Sequence, residues 1–147
     1  MSEINFFFEY NPQHPFSPYV ATPFLPYVRN RILFCLFFLS LETLVSAAAQ
    51  GEREGAAQGL AEVLAALGDQ KLEGLMPTLL EGASRRDARA REGFALLWVQ
   101  LPSTLGERFA HHLVDVLPLV LSGLADEAEP VREACLQACI QLPVLFK

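Results

Sequence analysis

The chain has 147 residues, 52% of them hydrophobic, and a formal net charge of −6 from 11 basic and 17 acidic residues. That length suits one domain or a few units of a repeat, and the apolar fraction excludes a disordered chain. The acidic balance argues against a free-standing nucleic-acid binder, which needs a basic field, and the three cysteines are too few for a disulfide scaffold, so nothing demands an oxidising compartment.

In chain order, the first 50 residues differ from the rest. Eight of the 11 phenylalanines lie in Phe6–Phe38, all three tyrosines are at Tyr10, Tyr19 and Tyr27, and five of the ten prolines fall between Pro12 and Pro26. Charges are sparse here: Glu3, Glu9, Arg29, Arg31 and Glu42. Prolines every few residues block both a long helix and a central strand, so residues 1–28 read as an irregular aromatic tail.

Residues 29–49 read as an apolar helix. The run from Ile32 to Leu41 is about ten residues before Glu42 interrupts it, against the roughly 18–20 of a membrane span. Extending it to Ala49 buries a carboxylate, which hydrocarbon penalises. Arg29 and Arg31 ahead of the apolar stretch, with the small residues Val45-Ser46-Ala47-Ala48-Ala49 after it, also fit a signal peptide. The long, acid-containing stretch ahead of it speaks against that. The membrane or secretory reading is therefore the lesser one beside a buried helix packing on the next segment of the chain. A third reading makes the segment foreign coding sequence.

From Gly51 onward the chain matches itself. Arg53-Glu54-Gly55 aligns with Arg91-Glu92-Gly93 and Leu67-Gly68 with Leu105-Gly106, both at an offset of 38. Leu72…Leu75-Met76-Pro77…Leu79-Leu80-Glu81-Gly82 aligns with Leu113…Val116-Leu117-Pro118…Val120-Leu121-Ser122-Gly123, and Arg91-Glu92 with Arg132-Glu133, at an offset of 41. A period near 40 in a helical pattern marks a HEAT or armadillo solenoid.

The helical period is explicit. Leu72, Leu75, Met76, Leu79, Leu80 and Ala83 share one stripe, and Leu113, Val116, Leu117, Val120, Leu121 and Leu124 repeat it. Further stripes are Leu60, Val63, Leu64 and Leu67; Phe94, Leu97, Trp98, Leu101 and Leu105; and Val131, Cys135, Ala138, Cys139 and Leu142. Gly68 and Gly106 sit where a left-handed cap is wanted, and Pro130 where a helix begins. Pro77 and Pro118 fall inside the first helix of each pair and should bend it.

Arg91 and Arg132 each come 14 residues after their proline, and Pro118 is followed by Asp126 at 8 and Val131 at 13. This resembles the HEAT-repeat signature, which implies an Asp–Arg ladder along the array. The middle unit keeps Pro77 and Arg91 but has Arg85 and Ala90 at the other two places, and the first unit has Leu39 where the proline belongs, so the Phe-rich helix occupies the place of its first helix.

Three stretches narrow the resemblance: Gly55-Ala56-Ala57-Gln58-Gly59-Leu60-Ala61-Glu62-Val63, Arg91-Glu92-Gly93-Phe94, and Leu101-Pro102-Ser103-Thr104-Leu105-Gly106-Glu107-Arg108-Phe109. With Leu124-Ala125-Asp126-Glu127 and Val131-Arg132-Glu133, they resemble a segment of the general-control translational activators. That is a family of giant HEAT-repeat proteins that sense stalled ribosomes. The resemblance covers about residues 51–142. It implies a non-catalytic, cytosolic, ribosome-associated scaffold that works with proteins of the initiation-factor-two kinase pathway and with neighbouring HEAT repeats. It implies no cofactor and no small-molecule substrate.

No catalytic constellation competes with this. His111 and His112 are adjacent and point apart, so they cannot chelate one ion. Cys135 and Cys139 share a helix face as small core residues without further ligands at metal spacing. The acids Glu52, Glu54, Asp126, Glu127 and Glu129 sit at helix starts, where the dipole favours them. One cluster is a candidate contact: Arg85, Arg86 and Arg89, with Arg91 beside them, in the turn between paired helices. It either meets phosphates of ribosomal RNA or is a solvated turn with Arg91 committed to the ladder.

The sequence thus predicts an all-α chain: an irregular tail over 1–28, one apolar helix over 29–49, and about two and a half HEAT-type helix pairs over 51–147. The alternatives are an unrelated HEAT adaptor and a small secreted or membrane-anchored helical protein.

Overall fold

The computed structural model describes residues 8–10, 19–21 and 24–143. The chain divides into two compact units, Met1–Cys35 and Leu36–Lys147.

In the first unit, β1 (Phe8–Tyr10) pairs antiparallel with β2 (Tyr19–Ala21), with Phe8 opposite Ala21 and Tyr10 opposite Tyr19. Both triplets are free of proline, so every ladder donor is present. The rest of the tail expected over 1–28 lies outside the described residues up to Phe24, where α1 (Phe24–Ser46) begins. The helix therefore starts ahead of Arg29. Pro26 lies in its first turn, where a missing N–H leaves no bond unmade.

In the second unit α1 contributes the buried Phe37 and Leu44 and ends at Ser46, leaving 47–49 as a turn. Then come α2 (Gln50–Leu67), α3 (Asp69–Gly82), α4 (Ala88–Leu105), a 3-10 helix Gly106–His112, α5 (Leu113–Gly123) and α6 (Glu129–Gln141). Gly68 and Gly106 both have positive φ, 89° and 58°. Their ψ values, 168° and −132°, place them in the mirror-extended region that glycine alone enters freely, not in the left-handed helical cap expected. This sharp reversal lets α3 start one residue after α2.

The α4 helix packs on α2 to one side and α6 to the other, with α3 and α5 forming a second layer beside them. Its stripe is buried throughout: Phe94, Leu97, Trp98, Leu101 and Leu105. Leu60 and Leu64 from α2, Leu72, Met76 and Leu79 from α3, and Val131, Cys135 and Ala138 from α6 complete the core. Described residues outside the hairpin are overwhelmingly helical, in consecutive packed pairs consistent with an α-solenoid. Pro77 and Pro118 lie inside α3 and α5, and a third proline, Pro102, is buried inside α4.

The stripe of α5 departs from expectation. Val116 and Val120 are buried, but Leu117, Leu121 and Leu124 are exposed. A helical period specifies which residues share a face, not whether another layer covers it.

Candidate functional site

Three arginines occupy the same place in three alternate helices. Each sits near the start of α2, α4 or α6 and turns back on the segment before it. Arg53 Nη1 donates to the carbonyls of Ala47 (2.7 Å) and Ala48 (3.1 Å). Arg91 Nη1 donates to Arg85 (3.0 Å) and Arg86 (2.7 Å), and Arg132 Nη1 to Asp126 (2.6 Å) and Glu127 (3.0 Å). In every case the acceptors lie six and five residues earlier, so one guanidinium edge fixes each turn by its backbone.

The remaining edges reach forward. Arg91 Nε donates to Asp126 Oδ2 at 2.8 Å and Nη2 to Asp126 Oδ1 at 3.0 Å, a bidentate pair joining α4 to the turn before α6. Glu127 lies 3.5 Å from the same Nη2. Asp126 also accepts the Ala128 N–H at 2.9 Å. The hydrogen bonds from Arg91 hold the Asp126 carboxyl below its ordinary value, helped by Ala128 and opposed by burial; Arg91 is correspondingly raised, first of all by Asp126.

Arg53 finds a different partner, because Arg85 stands where an acid would be needed. Its Nη2 meets Glu92 Oε2 at 2.8 Å, with both side chains buried. The repeated Arg-Glu dipeptide carried the signal for this pair, but its spacing alone does not say which glutamate turns inward. The forward edge of Arg132 meets no carboxylate among the described residues.

Arg85 and Arg86 lie in the α3–α4 turn, while Arg89 and Arg91 are already on α4. Arg85, Arg86 and Arg89 are exposed, and Arg91 is half-buried in the pair just described. Asp87 caps α4 by accepting the Arg89 N–H at 3.1 Å, and the Arg85 guanidinium lies 6.0 Å from the Phe94 ring centroid. The structure therefore brings three arginines to one edge and assigns the fourth elsewhere. The next turn carries the opposite sign, with Asp126, Glu127 and Glu129.

Val131 is buried in α6, and Pro130 opens that helix. Burial, with smaller effects from Cys139 and Asp126, pushes the Cys135 thiol up to about 11, which suppresses the reactive thiolate. His111 and His112 line a shallow cleft with Asp69, Glu73, Glu107 and Arg108, and Arg108 ion-pairs with Asp69. Among the described residues no three His, Cys, Asp or Glu are placed to hold a metal ion, and no helix is long and apolar enough to cross a membrane.

A second cleft, of about 240 Å³, opens between the α3–α4 and α5–α6 pairs. Arg91, Trp98, Ser84, Ser122, Asp126 and Cys135 are in its wall. Trp98 contributes to that wall, and its indole N–H is buried away from solvent without a partner.

No protein-family model and no solved structure matches the chain. Curated relatives do. The chain is 48% identical over 97 residues to Protein ILITYHIA of Arabidopsis thaliana, covering 66% of this chain. It is 43% identical over 100 residues to the stalled ribosome sensor GCN1 of Homo sapiens, covering 67% of this chain. It is 42% identical over 98 residues to the eIF-2-alpha kinase activator GCN1 of Saccharomyces cerevisiae, again 67% of this chain. The chain spans about 4% of the length of each of these relatives. Over two thirds of its residues, then, this chain is a homologue of the GCN1 and ILITYHIA proteins and corresponds to one short stretch of them.

Proposed function

We propose that the chain is a non-catalytic HEAT-repeat scaffold in ribosome-associated translational activation, within the pathway of the kinase acting on the alpha subunit of initiation factor two. The observation that carries this reading is 42% and 43% identity to proteins named as a kinase activator and a stalled-ribosome sensor. The recurring arginine at one phase of three helices supports HEAT-type units over residues 51–147. In this reading α1 (Phe24–Ser46) stands in for a missing first helix, the residues ahead of it are a tail, and the protein works in the cytosol.

Its partners are ribosomes, proteins of that kinase pathway, and neighbouring helix pairs. A neighbouring pair fits the α5–α6 face, where Leu121, Leu136 and Ile140 are exposed. There Arg132 offers a forward edge like the one Arg91 gives to Asp126.

Arg85, Arg86 and Arg89 form the contact edge for ribosomal RNA phosphates. Because Glu127 and Glu129 lie on the next turn, attraction is confined to a small patch and fades within a Debye length of about 8 Å at physiological salt. Ribosome co-sedimentation of the chain against an Arg85→Ala/Arg86→Ala/Arg89→Ala variant, across a salt series, tests this. Weaker binding with a shallower salt dependence is expected. Equal binding at every salt concentration removes the RNA contact from the proposal.

A further inference from the structure

The first helix pair meets α4 through two neighbouring residues of one tripeptide, Arg91-Glu92-Gly93. Glu92 Oε2 takes the Arg53 guanidinium at 2.8 Å. Gly93 lies so close to Leu44 of α1 that a Cβ there would overlap its backbone. A carboxylate and a glycine side by side thus accept a cation and a leucine from the pair before.

The same tripeptide opens α2 as Arg53-Glu54-Gly55, 38 residues earlier, and there the outward half is unused. Glu54 is exposed and accepts from Gln50 of its own helix at 3.0 Å. A Cβ at Gly55, or at Gly51 one turn before it, would meet nothing within 4 Å. The α5–α6 end supplies the complement. Arg132 grips its turn with Nη1 as Arg53 does, and its forward edge meets no carboxylate among the described residues. Leu121 is in the last turn of α5, as Leu44 is in the last turn of α1, and it is exposed together with Leu124. Ala47 stands where the α5–α6 turn has Asp126, so the acid offered to Arg132 by another copy of the chain is Glu54, in the relation Glu92 has to Arg53.

We propose that copies of this chain join head to tail, the α5–α6 end of one docking on the Glu54–Gly55 face of α2 in the next. Arg132 pairs with Glu54 of the second copy, and Leu121 and Leu124 cover its Gly51 and Gly55. Every copy carries both surfaces and the two differ, so the interface is heterologous and association continues past the dimer. The inference rests on the helix-pair repeat and not on ribosome binding, and its test contains neither ribosomes nor RNA.

Sedimentation equilibrium of the intact chain reads it. The parent should exceed the mass of a dimer as concentration rises. Glu54→Arg and Gly55→Trp alter exposed positions of α2, so each should keep the parent's helical melt while weakening association by about tenfold or more. Leu121→Lys should do the same from the other end. An equimolar mixture of Gly55→Trp and Leu121→Lys chains retains one sound surface of each kind and should stop at a one-to-one pair. A parent that stays monomeric or levels off at a dimer overturns the proposal. So does association as strong as the parent's in Glu54→Arg or Gly55→Trp, which would mean that α5–α6 ends meet each other, or a mixture that remains monomeric.

Discussion

Arg91 uses three sides of its guanidinium, one on the turn behind it and two on the turn ahead. Such a side chain is costly to disturb from either end. Asp126→Asn keeps the shape but removes the charge that Arg91 meets. Hydrogen bonds to charged groups contribute about 2 kcal/mol, so a loss of that order in unfolding free energy is expected in denaturant melts. The sign of the pH dependence is set by the same contact. The Asp126 carboxyl lies below its ordinary value of 3.8 in the folded chain, so its stabilisation is complete above the unfolded value and disappears as pH falls through the lower, folded one. Stability of the parent should drop below about pH 4. The Asn variant should show a shallower drop, and an identical acid profile would mean that Asp126 is not the group responsible. The Arg53–Glu92 pair is more deeply buried, and there desolvation offsets more of the attraction.

At the scale of the helix, the 41-residue offset relates not only residues but contacts. Gly82 closes α3 against the ring of Phe94, and Gly123 closes α5 against the thiol of Cys135; a Cβ at either place would overlap that neighbour. Phe94 is 1% exposed and cannot withdraw, whereas a thiol can rotate about one bond. Gly82→Ala should therefore cost about 2 kcal/mol, as overpacking does, and Gly123→Ala clearly less. Equal costs in parallel melts would contradict the packing argument. Much of this level is legible in the sequence. The leucine spacing specifies helices, and Pro77, Pro118 and Pro130 fall where the structure has them. What is not legible depends on tertiary neighbours. Glu92 pairs with Arg53 where the place equivalent to Asp126 is taken by Arg85 instead of an acid. Leu117, Leu121 and Leu124 share a stripe with Val116 yet face outward because no described layer covers them. The glycines are correctly placed at helix ends but expected in the wrong backbone region, since ψ there is set by the abrupt start of the following helix.

For the molecule as a whole, the exposed side chains matter most. Val114, Leu117, Leu121 and Leu124 on and just after α5, with Leu136 and Ile140 on α6, leave many large apolar groups in water. Such a surface favours association. The purified chain should form concentration-dependent oligomers in sedimentation velocity, and Leu121→Lys with Ile140→Lys should shift it to monomer. A parent that stays monomeric at high concentration would rule this out. The arginine turns have a separate consequence. Because Arg53, Arg91 and Arg132 grip carbonyl oxygens, the gripped residues are held regardless of what their side chains are. Ala48, Arg86 and Glu127 occupy the same place, and they are neutral, positive and negative. The backbone frame is thus insulated from the lettering it displays. Five residues ahead of each arginine, charge can diverge from one unit to the next while the backbone grip stays the same, so recognition can be rewritten there at constant architecture, whereas Asp126 one residue earlier is bound into the joint by its side chain.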